Sequence, residues 1–263
     1  MQVDDKYAWQ VDRCTRGNSP LLPNSIRGLI VGKSNCGKTT LLLNLLLRPG
    51  WLDYNHLYVF GKTLHQREYI ILRKGLEAGL SKQQISNIFA NQEVIASQKL
   101  DVIKLINDYV SSNVVHGNIK AHFYNDCSTQ IPDPVELDEQ NKNLLILDDC
   151  LLEKQTKAEA YYTRGRQNNC DTFYISQNYF RLPRQTIREN SNLIILFPQD
   201  SKNLNHIYAD HCAMDMSMEE FKNFCRWSWS AGKYSFVTID LSSTKSNGKY
   251  RTNFEDFYFP LSL

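Results

Sequence analysis

Several features that would narrow the class of this 263-residue protein are absent from its sequence. No apolar run approaches the roughly 18 uninterrupted residues that a membrane span needs, because Asn44 breaks the longest one, the leucines of 41–47. The N-terminus MQVDDKYAWQ has no basic segment followed by an apolar stretch, so no secretory signal is visible and we expect an intracellular protein. Internal repeats and low-complexity tracts are also missing.

The seven cysteines form no CxxC pair, and their number is odd. They stand at positions 14, 36, 127, 150, 170, 212 and 225. This scatter disfavours a structural zinc site and predicts reduced thiols.

An excess of charge of one sign is missing as well. The chain has 30 basic and 28 acidic residues, which gives a formal net charge of +2. A protein whose affinity came mainly from wrapping nucleic-acid phosphates would usually be more basic, so any nucleic-acid contact is expected to be local. With 42% hydrophobic residues, the chain can build a large core without a disulfide or a metal.

What the sequence does contain is a series of strand-length apolar runs that alternate with helical segments. The runs are Ile26–Val31, Leu57–Phe60, Leu144–Leu147, Thr172–Ser176, Leu193–Phe197 and Tyr234–Ile239. Alternation of this kind is typical of a mostly parallel sheet covered by helices on both faces. We predict one α/β domain over 25–263, preceded by a polar, turn-rich arm over 1–24 and carrying a helical insertion at about 62–130.

A glycine-rich loop follows the first run and precedes a predicted helix over Thr39–Leu47. Its sequence GKSNCGKT fits the pattern G-x-x-x-x-G-K-[ST] of a phosphate-binding P-loop. The glycines let backbone N–H groups turn toward phosphate oxygens at a helix N-terminus, where the partial positive charge favours anions. Lys38 is expected to reach the β- and γ-phosphates, and the Thr39 hydroxyl to ligate Mg²⁺. The predicted nucleotide-binding residues are Gly32, Lys33, Ser34, Asn35, Cys36, Gly37, Lys38 and Thr39.

Polar residues end two further predicted strands. Asp148 and Asp149 follow the run 144–147, and carboxylates at the carboxyl end of a parallel strand lie where ligands bind. We expect Asp148 to hold Mg²⁺ and Asp149 to orient and polarise the attacking water. Gln177 ends the next strand, and its amide would face the γ-phosphate if that strand lies between the other two. The alternatives are that the aspartates only end a strand and cap a helix, and that Gln177 is an ordinary polar strand end.

Two arginines, Arg164 and Arg166, lie near the end of a helix predicted at about 151–165. Guanidinium groups match phosphate geometry and stabilise the charge of a phosphoryl group in transfer. The alternative is that both arginines complement the dipole at the helix C-terminus.

The P-loop strand, the segment LLILDD and the stretch YYTRGRQNNCDTFYISQNYFRLPRQTIREN together resemble the genome-packaging ATPases of large DNA viruses and of virus-like self-synthesising transposons. These form the poxvirus-type branch of the FtsK–HerA superfamily, and the resemblance covers about residues 25–200. The ending RTNFEDFYF also looks like that branch. The resemblance implies an additional-strand P-loop core, of the RecA/FtsK-like type, in which the Gln177 strand lies between the P-loop strand and the aspartate strand.

The same resemblance implies a function. It implies an ATP- and Mg²⁺-dependent motor that pumps double-stranded DNA into a viral capsid, in a homo-oligomeric ring whose subunits share active sites. By position, Arg166 is the first candidate for an arginine that completes a neighbour's site, and Arg188 is the second. FtsK-like pumps usually have Glu where this sequence has Asp149. The implied partners are double-stranded DNA and capsid or packaging-vertex proteins, in the host cell interior or the virion.

Two other function classes stay open. One is a small-molecule phosphotransferase such as a nucleoside kinase, and the other is a nucleotide-dependent switch. The tandem aspartates and Gln177 are suited to activating water, which favours the motor over the kinase. Two basic clusters are either DNA contacts or solvated faces. They are Arg67, Arg73 and Lys74 in one segment and Lys245, Lys249 and Arg251 in another.

Overall fold

The computed structural model describes residues 17–90, 102–112, 114–115 and 117–261. Within these residues it contains one sheet, formed by nine strands. The strands are β1 (Arg27–Val31), β2 (His56–Gly61), β3 (Lys120–Tyr124), β4 (Asn143–Asp148), β5 (Cys170–Ser176), β6 (Leu193–Leu196), β7 (Val237–Asp240), β8 (Tyr250–Thr252) and β9 (Asp256–Tyr258). The α-helices are α1 (Lys38–Leu47), α2 (Arg67–Glu77), α3 (Lys82–Ala90), α4 (Val102–Ser112), α5 (Thr156–Arg164), α6 (Ser201–His211) and α7 (Met218–Ser230).

The strand order is β3-β2-β4-β5-β1-β6-β7-β8-β9, and the first six strands in this order are parallel. The last three strands join by antiparallel pairing. The predicted fold class, a mostly parallel sheet flanked by helices, is therefore confirmed. Strand β5 pairs with both β1 and β4, so the additional strand lies in the predicted position.

The core lies on both faces of the sheet because side chains alternate along each strand. Ile30 and Ile146 belong to one buried cluster, while Leu29 and Leu147 belong to another. Every residue of β4, β5 and β6 is buried, as expected for central parallel strands. All parallel strands end at the same edge of the sheet, which places the loops that follow β1, β2, β4 and β5 side by side.

The segment at about 62–130, predicted as helical, is mixed in its described residues. It contributes α2, α3 and α4, but it also contains β3, which pairs in parallel with β2. The sequence of β3, KAHFY, includes only partly buried or exposed residues, so it lacks the apolar run by which the other parallel strands were recognised. Helix α6 and strands β8 and β9 also went unpredicted.

The described part of the predicted arm, residues 17–24, packs against the amino end of the sheet. The Asn18 amide donates a hydrogen bond of 2.7 Å to Asp171 Oδ2, and the Ile26 N–H donates one of 2.8 Å to Oδ1 of the same carboxylate. Positions 1–16 of the predicted arm lie outside the described residues.

Cys127 and Cys150 are joined by a disulfide, with 5.7 Å between their Cα atoms, so the prediction of reduced thiols is wrong for this pair. The two residues are 23 positions apart in sequence, and only the fold brings the loop after β3 next to the end of β4. Cys36, Cys170, Cys212 and Cys225 are free thiols, and Cys14 lies outside the described residues.

No helix in the described part of the chain has both the length and the apolar character to cross a membrane.

Candidate nucleotide site

The loop between β1 and α1 requires glycine at two positions. Gly37 has φ +105° and precedes the first residue of α1, a conformation that other residues rarely adopt. At Gly32, a Cβ would lie 2.4 Å from Cys36 Sγ and 2.7 Å from Phe197 Cβ, so any side chain there would clash. These two glycines bring the loop backbone close to the start of α1, as binding of phosphate by backbone N–H groups requires.

Lys38 is the first residue of α1, and its ammonium group lies over the loop. Its Nζ donates hydrogen bonds of 2.7 Å to the carbonyl oxygens of Gly32 and Lys33. Both acceptors are neutral, so nothing in these contacts cancels the positive charge. The ammonium group therefore lies at the mouth of the loop, where phosphate oxygens could replace the two carbonyl oxygens as its hydrogen-bond acceptors.

Asp148, the last residue of β4, is only 6% exposed. The Tyr69 hydroxyl donates a hydrogen bond of 2.5 Å to its Oδ2, and the Thr63 hydroxyl lies 3.5 Å from the same oxygen. Burial raises the pKa of the Asp148 carboxyl, and the Tyr69 hydrogen bond acts in the opposite direction. Within the described residues, Oδ1 receives no hydrogen bond, so it is available as a ligand.

Asp149 is in a different environment from its neighbour. It is exposed, and its backbone turns into the left-handed region with φ +55°. Its N–H still donates to the Ile175 carbonyl of β5, at 3.3 Å, which fixes the turn at the edge of the sheet. The two carboxylates thus differ in solvation, one buried and one facing solvent.

Gln177 follows the last residue of β5 and contacts the P-loop directly. The Ser34 hydroxyl donates a hydrogen bond of 3.1 Å to Gln177 Oε1. Since β5 is the strand between β1 and β4, this side chain lies between the loop and the two aspartates.

These groups line one open cavity of about 490 Å³ at the carboxyl edge of the sheet. Of the predicted site residues, it is lined by Ser34, Asn35, Gly37, Lys38, Thr39, Asp148, Asp149 and Gln177. Gly32, Lys33 and Cys36 belong to the loop but do not line the cavity. The lining residues that were not predicted are Thr40, Thr63, Gln66, Glu68, Ile175, Ser176 and Tyr234.

The position of β2 could have indicated some of the missed residues. Thr63 and Glu68 follow β2, which pairs with β4, so the loop after β2 opens at the same edge as Asp148. Tyr234 is different, because it comes from the loop before β7 and no motif marks it.

The donor set fits Mg²⁺. A hydroxyl, from Thr39, and a carboxylate oxygen, Asp148 Oδ1, are hard oxygen ligands of the kind that this ion prefers. Nowhere in the described ranges do three or more His, Cys, Asp or Glu side chains form a group able to hold a metal ion. An ion at this site would therefore depend on nucleotide phosphates for much of its coordination, as is usual for Mg²⁺.

Arg166 lies at the amino end of the parallel strands, opposite the end that carries the P-loop. It is exposed and follows α5, four residues before β5 begins, and it lines a separate cavity of about 400 Å³ together with Arg27. The pKa of Arg27 is lowered by burial and by the nearby charge of Arg166. From this edge Arg166 does not reach the P-loop of its own subunit.

Arg188 is buried, with 5% of its surface exposed. Its guanidinium lies 2.9 Å from Asp210 Oδ2 and 5.0 Å from the centre of the Tyr179 ring. This arrangement is that of an ion pair inside the subunit, and it holds Arg188 away from a neighbouring molecule. Arg164 and Arg184 are exposed and pair with Asp133 and Glu189, respectively.

Four residues of the two basic clusters, Arg73, Lys74, Lys249 and Arg251, pair with carboxylates. Arg73 and Lys74 both pair with Glu77, at 2.8 and 2.7 Å. Arg251 is 2% exposed and lies 2.8 Å from Asp240, so the idea that it lines a DNA channel is wrong. Lys249 pairs in a similar way, with Asp215.

The parallel sheet, the additional strand β5 and the loop between β1 and α1 define a P-loop NTPase fold of the additional-strand type. The sequence matches no protein-family model and no curated protein. Among solved structures, the chain is similar to the genome packaging NTPase B204 from Sulfolobus turreted icosahedral virus 2 in complex with AMPPCP. The TM-score is 0.51 at 12% identity, over 87% of this chain and 97% of that one.

A second structure of B204, in complex with sulfate, has a TM-score of 0.50 at 13% identity, over 87% of this chain and 96% of that one. The bacterial conjugative coupling protein TrwB gives 0.45 at 11% identity, over 89% and 86% of the two chains. The similarity to B204 shows a shared fold, which is the fold that the resemblance implied.

Proposed function

We propose that this protein is an ATP-hydrolysing motor that translocates double-stranded DNA into a viral capsid. One contact supports the proposal most directly, the hydrogen bond between Ser34 of the P-loop and Gln177 at the end of the additional strand. It brings a polar amide to the place where the terminal phosphate of a bound nucleotide would lie. Further support comes from the fold, which is that of a protein described as a genome packaging NTPase in complex with AMPPCP.

The first step is capture of the triphosphate by the loop. Backbone N–H groups at the start of α1 bind phosphate oxygens, and the Lys38 ammonium moves from the carbonyls of Gly32 and Lys33 to the β- and γ-phosphates. This exchange is favourable because two neutral acceptors are replaced by charged ones.

The second part of the proposed mechanism is the Mg²⁺ site. When bound, Mg²⁺ neutralises charge on the β- and γ-phosphates. Thr39 and Asp148 would hold it, Asp148 through Oδ1. Tyr69 keeps the other carboxylate oxygen in place, so the ligand does not need to reorient when the nucleotide binds.

Hydrolysis is assigned to Asp149 and Gln177. A water molecule attacks the γ-phosphorus, the bond between that phosphorus and the β–γ bridging oxygen breaks, and ADP leaves with the bridging oxygen. Asp149 orients this water and accepts its proton, and its exposed side chain lines the cavity in which the water would lie. The Gln177 amide hydrogen-bonds the water or the γ-phosphate and fixes the direction of attack.

We further propose a homo-oligomeric ring around the DNA. A net charge of +2 gives one subunit few phosphate contacts, so several subunits acting together are needed to hold a duplex. Arg166 lies at the edge of the sheet opposite its own P-loop, which is consistent with action on a neighbour's nucleotide. The partners would be double-stranded DNA and capsid or packaging-vertex proteins, in an infected cell or in the virion.

The test is the rate of phosphate release from ATP with and without long duplex DNA. The proposal predicts Mg²⁺-dependent hydrolysis that DNA stimulates, and almost complete loss of it in Lys38→Ala. Lys222→Ala is the control, since Lys222 lies on α7, outside both basic clusters, and does not line the cavity.

Other results would indicate other functions. Phosphate transfer to a nucleoside in place of water would indicate a kinase. Slow hydrolysis that DNA does not change would indicate a switch, and hydrolysis in Lys38→Ala at the normal rate would remove the P-loop assignment.

A further inference from the structure

We propose that the ring of Tyr234 is the surface on which the base of the nucleotide stacks. This inference rests on the proposed function, since it deepens the assignment of the same site. Tyr234 lines the cavity that contains the P-loop and both aspartates, and it comes from the loop before β7, about 200 residues after the P-loop in sequence. Neither the motifs nor the catalytic scheme assigns it a role.

The order of the strands indicates which side of the loop the base occupies. The side chains proposed to act on the γ-phosphate, Asp148 and Gln177, come from β4 and β5, on one side of β1. The loop holds the middle of the triphosphate at the start of α1. The nucleoside must therefore leave the loop on the other side of β1, where β6 and β7 lie. Tyr234 is at this side.

Contacts at Gly37 fix the position of the ring. A Cβ built at Gly37 would lie 3.2 Å from Tyr234 Cδ1 and 3.6 Å from Phe197 Cε1, so both rings border this glycine. They differ in burial, because Phe197 is 1% exposed and Tyr234 is 55% exposed. Phe197 therefore supports the loop from inside, while Tyr234 contacts the loop with one edge and leaves most of its ring open to the cavity and the solvent.

The chemistry around the ring suits a nucleotide. An aromatic ring stacks on any nucleobase, because every base has a π face. The ammonium of Lys233 lies 5.1 Å from the centre of the ring, which adds a positive charge beside the proposed stacking surface. The Tyr234 hydroxyl has no hydrogen-bond partner among the described residues, so the ring rather than the hydroxyl carries the proposed role.

The experiment compares a ligand that has a base with one that lacks it. Binding of AMPPCP and of inorganic tripolyphosphate, both with Mg²⁺, is measured by calorimetry for the wild type, Tyr234→Ala and Tyr234→Phe. Stacking predicts that Tyr234→Ala weakens AMPPCP about tenfold and leaves tripolyphosphate within about twofold of the wild type. Tyr234→Phe should bind both ligands as the wild type does. Phe259→Ala, at an aromatic residue that is 58% exposed in the C-terminal part of the chain, serves as a surface control.

Each other outcome overturns the inference. Equal weakening of both ligands in Tyr234→Ala would mean that the ring only supports the loop, and unchanged binding of AMPPCP would mean that no base contacts it. Failure of the proposed function looks different, because wild-type ATP hydrolysis would then be absent or unchanged by duplex DNA, while Tyr234→Ala would still weaken AMPPCP and not tripolyphosphate.

Discussion

The hydroxyl of Tyr69 donates a hydrogen bond of 2.5 Å to Oδ2 of Asp148, between residues that are 79 positions apart in sequence. Both side chains are buried, and Tyr69 is 0% exposed. The contact joins α2, from the insertion after β2, to the carboxylate at the end of β4. Since a buried carboxylate without a donor is strongly disfavoured in its charged form, Tyr69 helps to keep Asp148 ionised and oriented.

Tyr69→Phe tests this positioning role. The variant keeps the buried ring but removes the donor, so it should raise the Mg²⁺ concentration needed for half-maximal nucleotide binding by about tenfold. Titration of Mg²⁺ at a fixed concentration of AMPPCP measures the effect, and binding should recover at high Mg²⁺. Tyr161→Phe is the matched control, because Tyr161 is equally buried and its hydroxyl donates to the Pro132 carbonyl instead. An equal shift in the two variants would contradict the role.

Asp148 and Asp149 should have separable functions. Asp148→Asn removes a charged ligand and is expected to weaken Mg²⁺-dependent binding of nucleotide by about 10- to 100-fold. Asp149→Asn should bind ATP nearly as the wild type does and hydrolyse it on the order of a hundredfold more slowly. Calorimetry and single-turnover hydrolysis measure the two effects. The same loss of binding in both variants would argue against this division of roles.

Gln177→Ala should leave the affinity for AMPPCP within about twofold of the wild type and lower kcat on the order of a hundredfold. The reason is that its amide is proposed to hold water or the γ-phosphate, and the remainder of the nucleotide is bound elsewhere. Gln199→Ala is a suitable control, since Gln199 is partly buried after β6 and its side-chain amide donates a hydrogen bond of 3.1 Å to the neighbouring Pro198 carbonyl. A rise in Kd with unchanged kcat would assign Gln177 to binding.

A mixture of two inactive variants tests the arginine that acts between subunits. Lys38→Ala subunits lack the P-loop lysine but keep Arg166, and Arg166→Ala subunits keep the lysine but lack the arginine. In a co-assembled ring, some interfaces therefore combine an intact P-loop from one subunit with an intact Arg166 from the next. Partial ATPase activity should return only on mixing. Assembly without any recovery would count against Arg166.

Arg188→Ala provides the second arm of this experiment. Its ion pair with Asp210 is buried, so the substitution leaves that carboxylate with the Tyr179 hydroxyl at 2.9 Å and Arg184 at 3.8 Å, and it should lower the free energy of unfolding by about 3 kcal/mol. A well-folded Arg188→Ala that regains activity only on mixing with Lys38→Ala would instead assign Arg188 to the neighbour's site.

The central strands and the P-loop could be predicted because their signals are local. The apolar runs of β1, β4, β5 and β6 reflect burial on both faces, and the motif at 32–39 lies between a strand and a helix. The place of β5 between β1 and β4 came from the resemblance, since no local pattern specifies the order of strands in a sheet. Strand β3 was missed because its side chains are only partly covered.

The contacts that complete the site arise from the tertiary structure. Tyr69 reaches Asp148 from another element, and Tyr234 reaches Gly37 from the loop before β7, with no spacing rule to connect either pair. The Cys127–Cys150 disulfide depends on the same packing, at the end of β4. The burial of Arg188 and Arg251 against Asp210 and Asp240 likewise could not be inferred from charge clusters alone.

Displacement of a third strand from a duplex shows whether ATP hydrolysis by this protein drives movement along duplex DNA. A labelled triplex-forming oligonucleotide is placed far from the end of a long DNA, and its release is followed over time. We expect release by the wild type that requires ATP and Mg²⁺, and none by Lys38→Ala or with AMPPCP. Rapid DNA-stimulated hydrolysis by the wild type without any release of the third strand would contradict it.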